Sequence, residues 1–297
     1  MKQEIINILE FIEYKKRRWV NPEKYLPKVF KKKTGYELNL DHPLTFNEKM
    51  QWLKLYNHDP LYTILVDKFE VKGYVKEQIG EKYIIPTLGV WNSFDDIDFS
   101  KLPDQFVLKC THDSGGLVIC KNKATFDVKA AKKKIQKSLR CNYYYMGFEW
   151  PYKNVKPRII AEKYMEDHNT QDLRDYKFFV FQGEVKALFI ITNRNSKKQN
   201  IGLDFFDENF QHLPFTRGHD NAIEMPKKPE TFEEMKFLAK KLSKDIPFVR
   251  VDFYDVNGQV YFGEMTFFPG GGWEPFIPQE WDYKFGSWLN LPDKRYE

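Results

Sequence analysis

Apolar residues recur at helical spacing over residues 4–18, where Ile5, Ile6, Leu9 and Ile12 share one face. Pro22, Pro27 and Pro43 punctuate the next stretch. Thr45-Phe46-Asn47-Glu48 has the form of a capping box, with Glu48 three residues after Thr45. It predicts a helix through Met50, Trp52, Leu53 and Leu55. A further helix is predicted over about 61–79, and Tyr83-Ile84-Ile85-Pro86 reads as a short strand. Beyond residue 103 strand patterns dominate. Phe106–Cys110 is a strand, His112–Gly116 a loop and Leu117–Cys120 the returning strand. A helix follows near 127–139, then a strand over Arg158–Met165. Two longer strands, Tyr176–Gln182 and Val185–Thr192, meet at a turn, and strand pattern continues near 203–206. Thr231–Lys244 is an amphipathic helix. This pattern is α+β and rich in antiparallel strands rather than a regular βαβ alternation. It divides into a helix-rich α/β region over 1–103 and a core over 104–297, itself split at residue 165.

The last strands carry an unusual charge pattern. Val249-Arg250-Val251-Asp252-Phe253 and Val260-Tyr261-Phe262-Gly263-Glu264-Met265-Thr266 flank Asp255-Val256-Asn257-Gly258. Carboxylates in otherwise apolar strands are costly to bury unless something pairs with them. A two-residue Asn-Gly turn would pair Asp252 with Gly263 and put Glu264 on the opposite face. A three-residue loop with a bulge and Gly258 left-handed pairs Asp252 with Phe262, making Asp252 and Glu264 diagonal neighbours. A shared Mg²⁺ requires the second arrangement; otherwise the two are solvated carboxylates on an edge hairpin.

Composition narrows the class. With 297 residues and 17% aromatics the chain can bury a large core. Mean hydropathy is −0.62, and no apolar run approaches the length of a membrane span. Three cysteines form no zinc spacing and no even disulfide set, and the N-terminus lacks a signal-peptide pattern, so a cytoplasmic location is expected. The net charge of +5 suits anionic small molecules or polymers without demanding nucleic acid. The basic runs read as solvated faces; Lys15-Lys16-Arg17-Arg18, beside Trp19, is the candidate for an anionic membrane surface or partner.

Chemistry-bearing residues follow an order. Lys109 ends a strand before the small-residue loop Ser114-Gly115-Gly116, suited to close over phosphates. Then come Glu162-Lys163-Tyr164-Met165, Asp175-Tyr176-Lys177, Arg250-Val251-Asp252 and Glu264-Met265-Thr266. In this order the chain resembles the ATP-grasp superfamily, whose two lobes enclose ATP. The resemblance implies that the backbone of Glu162, Lys163, Tyr164 and Met165 reads adenine and that Asp175, with Lys177 near it, reaches the ribose. It places Lys109 on phosphates, Asp252 and Glu264 on Mg²⁺, and Arg250 beside the transferred phosphate. Many such enzymes have Asn where this chain has Thr266, a shorter oxygen ligand.

A narrower resemblance rests on Leu44-Thr45-Phe46-Asn47-Glu48-Lys49, Asp67-Lys68, Ile85-Pro86-Thr87-Leu88-Gly89-Val90-Trp91, Asp175-Tyr176-Lys177-Phe178-Phe179 and Glu264-Met265-Thr266-Phe267-Phe268-Pro269. These segments resemble the TupA-like ATP-grasp proteins of polysaccharide biosynthesis. The resemblance implies a ligase joining a carboxylate, a uronic acid or amino-acid acid group in capsule or surface glycan formation, to an amine through an acyl phosphate. A sugar kinase on the same scaffold, a glycosyltransferase and a nucleotide-binding component of membrane-bound glycan machinery are the alternatives. Phe268, Gly270, Gly271 and Gly272 come directly after the metal strand and are expected to contact substrate; Arg194 is a candidate phosphate or uronate contact.

Overall fold

The computed structural model describes residues 16–167, 173–192 and 201–296. The helix expected over 4–18 therefore lies almost wholly outside the described residues. Helix α1 spans Pro22–Thr34 and α2 spans Phe46–Tyr56. The capping box forms at the start of α2: Thr45 accepts from the Glu48 N–H while the Glu48 carboxylate accepts from the Thr45 N–H. The helix predicted over 61–79 is two helices, α3 (Pro60–Val66) and α4 (Val71–Gln78). Asp67 breaks it. Its carboxylate accepts from the N–H groups of Phe69 and Glu70 at 2.8 and 3.2 Å and pairs with Arg158 at 2.7 Å. A side chain that caps backbone donors in this way competes with helix propagation.

The strand predicted at Tyr83–Pro86 is also corrected. Glu81–Tyr83 is a 3-10 turn, and strand β1 runs from Thr87 to Trp91. Pro86 has no N–H to enter a ladder, so pairing starts after it; its carbonyl accepts from Lys163 N–H at 3.0 Å. The remaining elements are β2 (Phe106–Cys110), β3 (Leu117–Cys120), α5 (Val128–Leu139), α6 (Tyr144–Gly147), β4 (Ile159–Lys163), β5 (Asp175–Phe181), β6 (Glu184–Thr192), β7 (Gly202–Asp207), β8 (Thr216–Arg217), α7 (Phe232–Leu242), β9 (Phe248–Val256), β10 (Gln259–Thr266), β11 (Phe276–Ile277) and α8 (Glu280–Trp288).

These strands build two main antiparallel sheets. The smaller has the order β1-β4-β2-β3 and the larger β10-β9-β5-β6-β7. The boundary expected at residue 103 falls inside the smaller unit, because β1 is its edge strand. Helix α7 covers the back of the larger sheet, where Phe232 meets Phe178. On the other side, Phe46 at the start of α2 packs against Phe179, Phe181, Phe248, Phe276 and Phe285, and all are buried. Among the described residues no helix is long and apolar enough to cross a membrane. Arg17 of the N-terminal basic run donates to the carbonyls of Tyr145 and Met146, so part of that run is docked on the chain itself.

Helix α8 reaches α2 by a very close approach. The Asp282 carboxylate accepts from Asn47 N–H, Asn47 Nδ2 and Tyr36 hydroxyl, each at 2.9 Å. One turn on, a Cβ at Gly286 would lie 2.1 Å from the Leu44 carbonyl oxygen and 2.8 Å from Phe46 N. Backbone cannot yield as a flexible side chain does. Gly286→Ala is therefore expected to destabilise the chain by about 2–3 kcal/mol, lowering the thermal midpoint by about 5 °C. An unchanged midpoint in a melt followed by circular dichroism would contradict this packing.

Candidate active site

The polar face of the larger sheet is built by register. Lys177 on β5 stands opposite Asp252 on β9, Asp175 opposite Tyr254, and Phe179 opposite Arg250. Beside them Glu264 lies opposite Asp252, and Thr266 opposite Arg250. Asp252 and Glu264 thus share a face, but not by the loop expected from sequence. Gln259 pairs with Val256, so the hairpin closes on the two residues Asn257 and Gly258, with φ of +54° and +80°. That is the type I′ pattern favoured by Asn-Gly. The ladder then shifts between Phe262 and Glu264, leaving Gly263 as the extra residue of a bulge. The bulge moves Glu264 from the wrong face to the right one and makes it a direct rather than a diagonal neighbour. A Cβ at Gly263 would approach the Asp252 carbonyl oxygen to 3.0 Å, a tight fit that favours glycine there.

Arg250 organises this face. Its Nε donates to Asp252 Oδ1 at 2.7 Å and its Nη2 to Asp252 Oδ2 at 2.6 Å, to Glu264 Oε1 at 3.0 Å and to Thr266 Oγ1 at 2.9 Å. Lys177 donates to the same Asp252 Oδ2. Asp252 is buried, and burial pushes its carboxyl above the usual range although Arg250 and Lys177 pull it down. At Glu264, which is half-exposed, burial opposes charge, but Lys177 and Arg250 outweigh it and hold the carboxyl below the usual range.

Two pockets meet at Glu264. The first lies between the two sheets. Lys109 and Glu162 enter from the smaller sheet; Asp175, Lys177, Tyr254 and Glu264 enter from the larger. Lys109 Nζ pairs with Glu162 Oε2 at 2.6 Å, and Lys72 from α4 with Glu162 Oε1 at 2.5 Å. Lys68, between α3 and α4, donates to the Asp113 carbonyl at the rim. Ser114, Gly115 and Gly116 form part of the wall, with Gly115 at φ +112°. Apolar surface comes from Val71, Ile84, Ile85, Leu117 and Phe262. The second pocket lies beyond Glu264 and is lined by Tyr143, Tyr152, Glu149, Arg250, Thr266, Phe268, Gly270, Gly271 and Trp273.

Several expected residues stand elsewhere. Lys163 and Tyr164 line a separate hollow with Leu88, Gln105 and Lys121, and Met165 lies past the end of β4. Only Glu162 of that segment reaches the cleft, and it does so through its side chain. Gly272 is packed against α2, where a Cβ would meet Met50 at 2.4 Å. The Gly271 N–H is taken by the Phe268 carbonyl at 2.8 Å, so it is not free for a substrate carboxylate. His112 is buried, its Nε2 within 3.3 and 3.0 Å of the Ser138 and Cys141 carbonyls. Arg194 lies outside the described residues. Sequence reasoning missed Lys68 and Lys72, which come from the region set apart from the core; Asp67-Lys68 was the available signal. It also missed Glu149 and Lys54, although Tyr143–Trp150 is conspicuously aromatic around an acid.

Two carboxylates and a hydroxyl on one face are hard oxygen donors that suit Mg²⁺. The first pocket sets four lysines against Asp113, Glu162, Asp175 and Glu264, so its walls carry no excess charge for a polyphosphate. A divalent counter-ion fits that balance. Among the described residues no group of three or more His, Cys, Asp or Glu is placed to hold a metal alone, so phosphate oxygens would complete its shell.

Comparison with curated proteins gave no match. Among solved structures, D-alanine–D-alanine ligase from Bacillus anthracis is 19% identical, aligned over 68% of this chain and 57% of that one, with TM-score 0.39. The ATP-grasp ligase PsnB complexed with minimal precursor is 10% identical over 74% and 59%, TM-score 0.41. D-alanine–D-alanine ligase from Helicobacter pylori is 15% identical over 85% and 68%, TM-score 0.44. The chain thus spans less than three fifths of the length of the first two. The family model for TupA-like ATP-grasp matches residues 48–290, so the chain belongs to the TupA-like ATP-grasp family.

Proposed function

We propose that the chain is an ATP- and Mg²⁺-dependent ligase that joins a carboxylate to an amine through an acyl phosphate. The observation that carries this reading is the face of Arg250, Asp252, Glu264 and Thr266, which separates a lysine-lined pocket from an aromatic one. When bound, ATP supplies the phosphoryl group and Mg²⁺ neutralises the charge that builds up during its transfer. Asp252, Glu264 and Thr266 would hold the metal. Lys109 and Lys72, fixed by Glu162, bind phosphate oxygens beneath the loop Ser114–Gly116, and Asp175 takes the ribose. Ile84, Ile85 and Leu117 offer adenine an apolar slot. Arg250 reaches from behind Glu264 into the second pocket and orients the acid to be activated.

The expected acid is a uronic or amino-acid carboxylate of a capsule or surface polysaccharide, or of its nucleotide-linked precursor, met in the cytoplasm. Residues 104–165, with Thr87–Trp91 added, and residues 166–297 serve as the two lobes.

The test is a product screen by mass spectrometry. The purified chain is given ATP and Mg²⁺ with pooled uronic acids, nucleotide uronates, amino acids and amines. ADP release that needs both an acid and an amine, with a new amide, is the expected result. A phosphorylated hydroxyl compound formed without amine would make the chain a kinase. Tight ATP binding with no turnover would make it a nucleotide-binding component.

A further inference from the structure

The second pocket holds a carboxylate to which acid activation assigns no role. Glu149 lies just after α6, is 7% exposed and lines the chamber. Among the described residues no hydrogen bond or ion pair reaches its carboxylate. Lys54 and Arg250 act on this buried carboxylate without bonding to it, so its oxygens stay open to a donor that arrives from outside. The walls say what that donor is. Tyr143, Tyr152 and Trp273 line the chamber, and aromatic rings attract a cation. The chain itself illustrates this: the Lys54 ammonium sits 3.9 Å over the Trp273 ring and is pinned by the Gly271 carbonyl at 2.6 Å.

We propose that this chamber binds a primary amine as its ammonium ion and that Glu149 is the base that takes its proton. Binding of the ammonium stands by itself, whereas the role as base rests on the ligase reading. The ammonium gives one proton to Glu149 and becomes the free amine. Its lone pair closes a C–N bond on the acyl-phosphate carbon. The C–O bond to phosphate breaks, and phosphate leaves with the electron pair and the second amine proton. Arg250 and Glu264 line the same chamber, so the activated acid and the amine meet at one wall.

The charged surroundings favour a proton acceptor working near neutrality. Burial raises the Glu149 carboxyl to about 7, against the pull of Lys54 on α2 and Arg250 on β9. Burial in turn lowers Lys54. The Tyr143 and Tyr152 phenols are pushed up by burial and then by the Glu149 charge, while Glu264 and Asp113 complete the titratable set around the chamber. A base must be ionised to act, so amine-dependent turnover should fall as pH drops through the Glu149 transition.

The test compares the full chain with its Glu149→Gln variant, which keeps shape and removes the charge. In the first arm, D-glucosamine is titrated and tryptophan fluorescence is read, with Trp273→Phe identifying the responding ring and N-acetylglucosamine as the uncharged control. Glucosamine should saturate the parent protein, bind at least about 10-fold more weakly to the variant, and outcompete the control. Equal binding to parent and variant, or no saturable response, overturns the ammonium site whether or not the chain is a ligase. In the second arm, ADP release with glucuronic acid is measured with either glucosamine or hydroxylamine, a nucleophile already neutral at pH 7. The variant should lose about 10²–10³-fold with glucosamine, lose far less with hydroxylamine, and lose the acid limb of the pH profile. Equal losses with both nucleophiles would move Glu149 to the activation step and overturn its role as base. If no acid supports ADP release, the ligase reading fails, and the fluorescence arm alone judges the site.

Discussion

Asp252→Asn should cut ATP turnover about 10²–10³-fold and leave the chain folded. The substitution keeps size and shape but removes one negative charge from the centre of the polar face. That charge now satisfies Arg250 through both oxygens and Lys177 through one. It would also be the deeper of the two metal carboxylates, and a lost charge-stabilising contact at a phosphoryl site is commonly worth this factor in rate. Arg250 keeps Glu264 and Thr266 as acceptors, so the side chain is not released into the chamber. Glu264→Gln should show a similar loss of turnover. Its effect on folding should be smaller, because 47% of the Glu264 side chain is exposed. The measurement is ADP release with the acid and amine identified by the product screen, alongside far-UV circular dichroism. Near-parental turnover in Asp252→Asn would remove the metal assignment, whatever the fold does.

The parts of the molecule written in local sequence were legible. The capping box at Thr45 and Glu48 was read correctly because both partners lie within one turn. The two carboxylates stood out because charge inside β-prone segments conflicts with burial. Non-local decisions were not legible. The bulge at Gly263 depends on the close approach of the Asp252 carbonyl across the hairpin, and nothing in the spacing of Asn257, Gly258 and Glu264 announces it. At the break between α3 and α4, Asp67 caps Phe69 and Glu70 locally while its other oxygen is taken by Arg158, 91 residues away. Strand β1 begins where Lys163 of its distant partner strand β4 can pair with Pro86. The cleft draws Lys68, Lys72, Ile84 and Ile85 from a region that pattern alone sets apart from the core. Glu149 is more telling still. In sequence it is one acid among aromatics; only its enclosure with Arg250, Tyr152 and Trp273 gives it chemical meaning. Motif order was thus a good guide to the family and to the charged residues that gather at the cleft, and a poor one to the chamber, where side chains from distant segments converge.

Arg250→Met should destabilise the chain by about 3 kcal/mol at pH 8, and less at pH 5. Arg250 neutralises a carboxylate that has almost no contact with water. Removing one partner of a buried ion pair leaves the other charge uncompensated, which is costlier than replacing both by apolar groups. Lys177 remains on one oxygen of Asp252, so the loss is not total. The sign of the pH dependence comes from Asp252. Burial already raises its carboxyl in the folded chain despite both cations, and taking one cation away raises it further. A carboxyl with a higher pKa folded than unfolded binds protons preferentially in the folded state. Stability then declines as pH climbs from the ordinary carboxylate range through the raised value, and recovers on acidification. Urea unfolding of parent and variant at pH 5 and pH 8 measures this directly. The deficit should be clearly larger at pH 8. A deficit of the same size at both pH values would mean that Asp252 stays ionised without Arg250, with Lys177 alone sufficient to hold its charge.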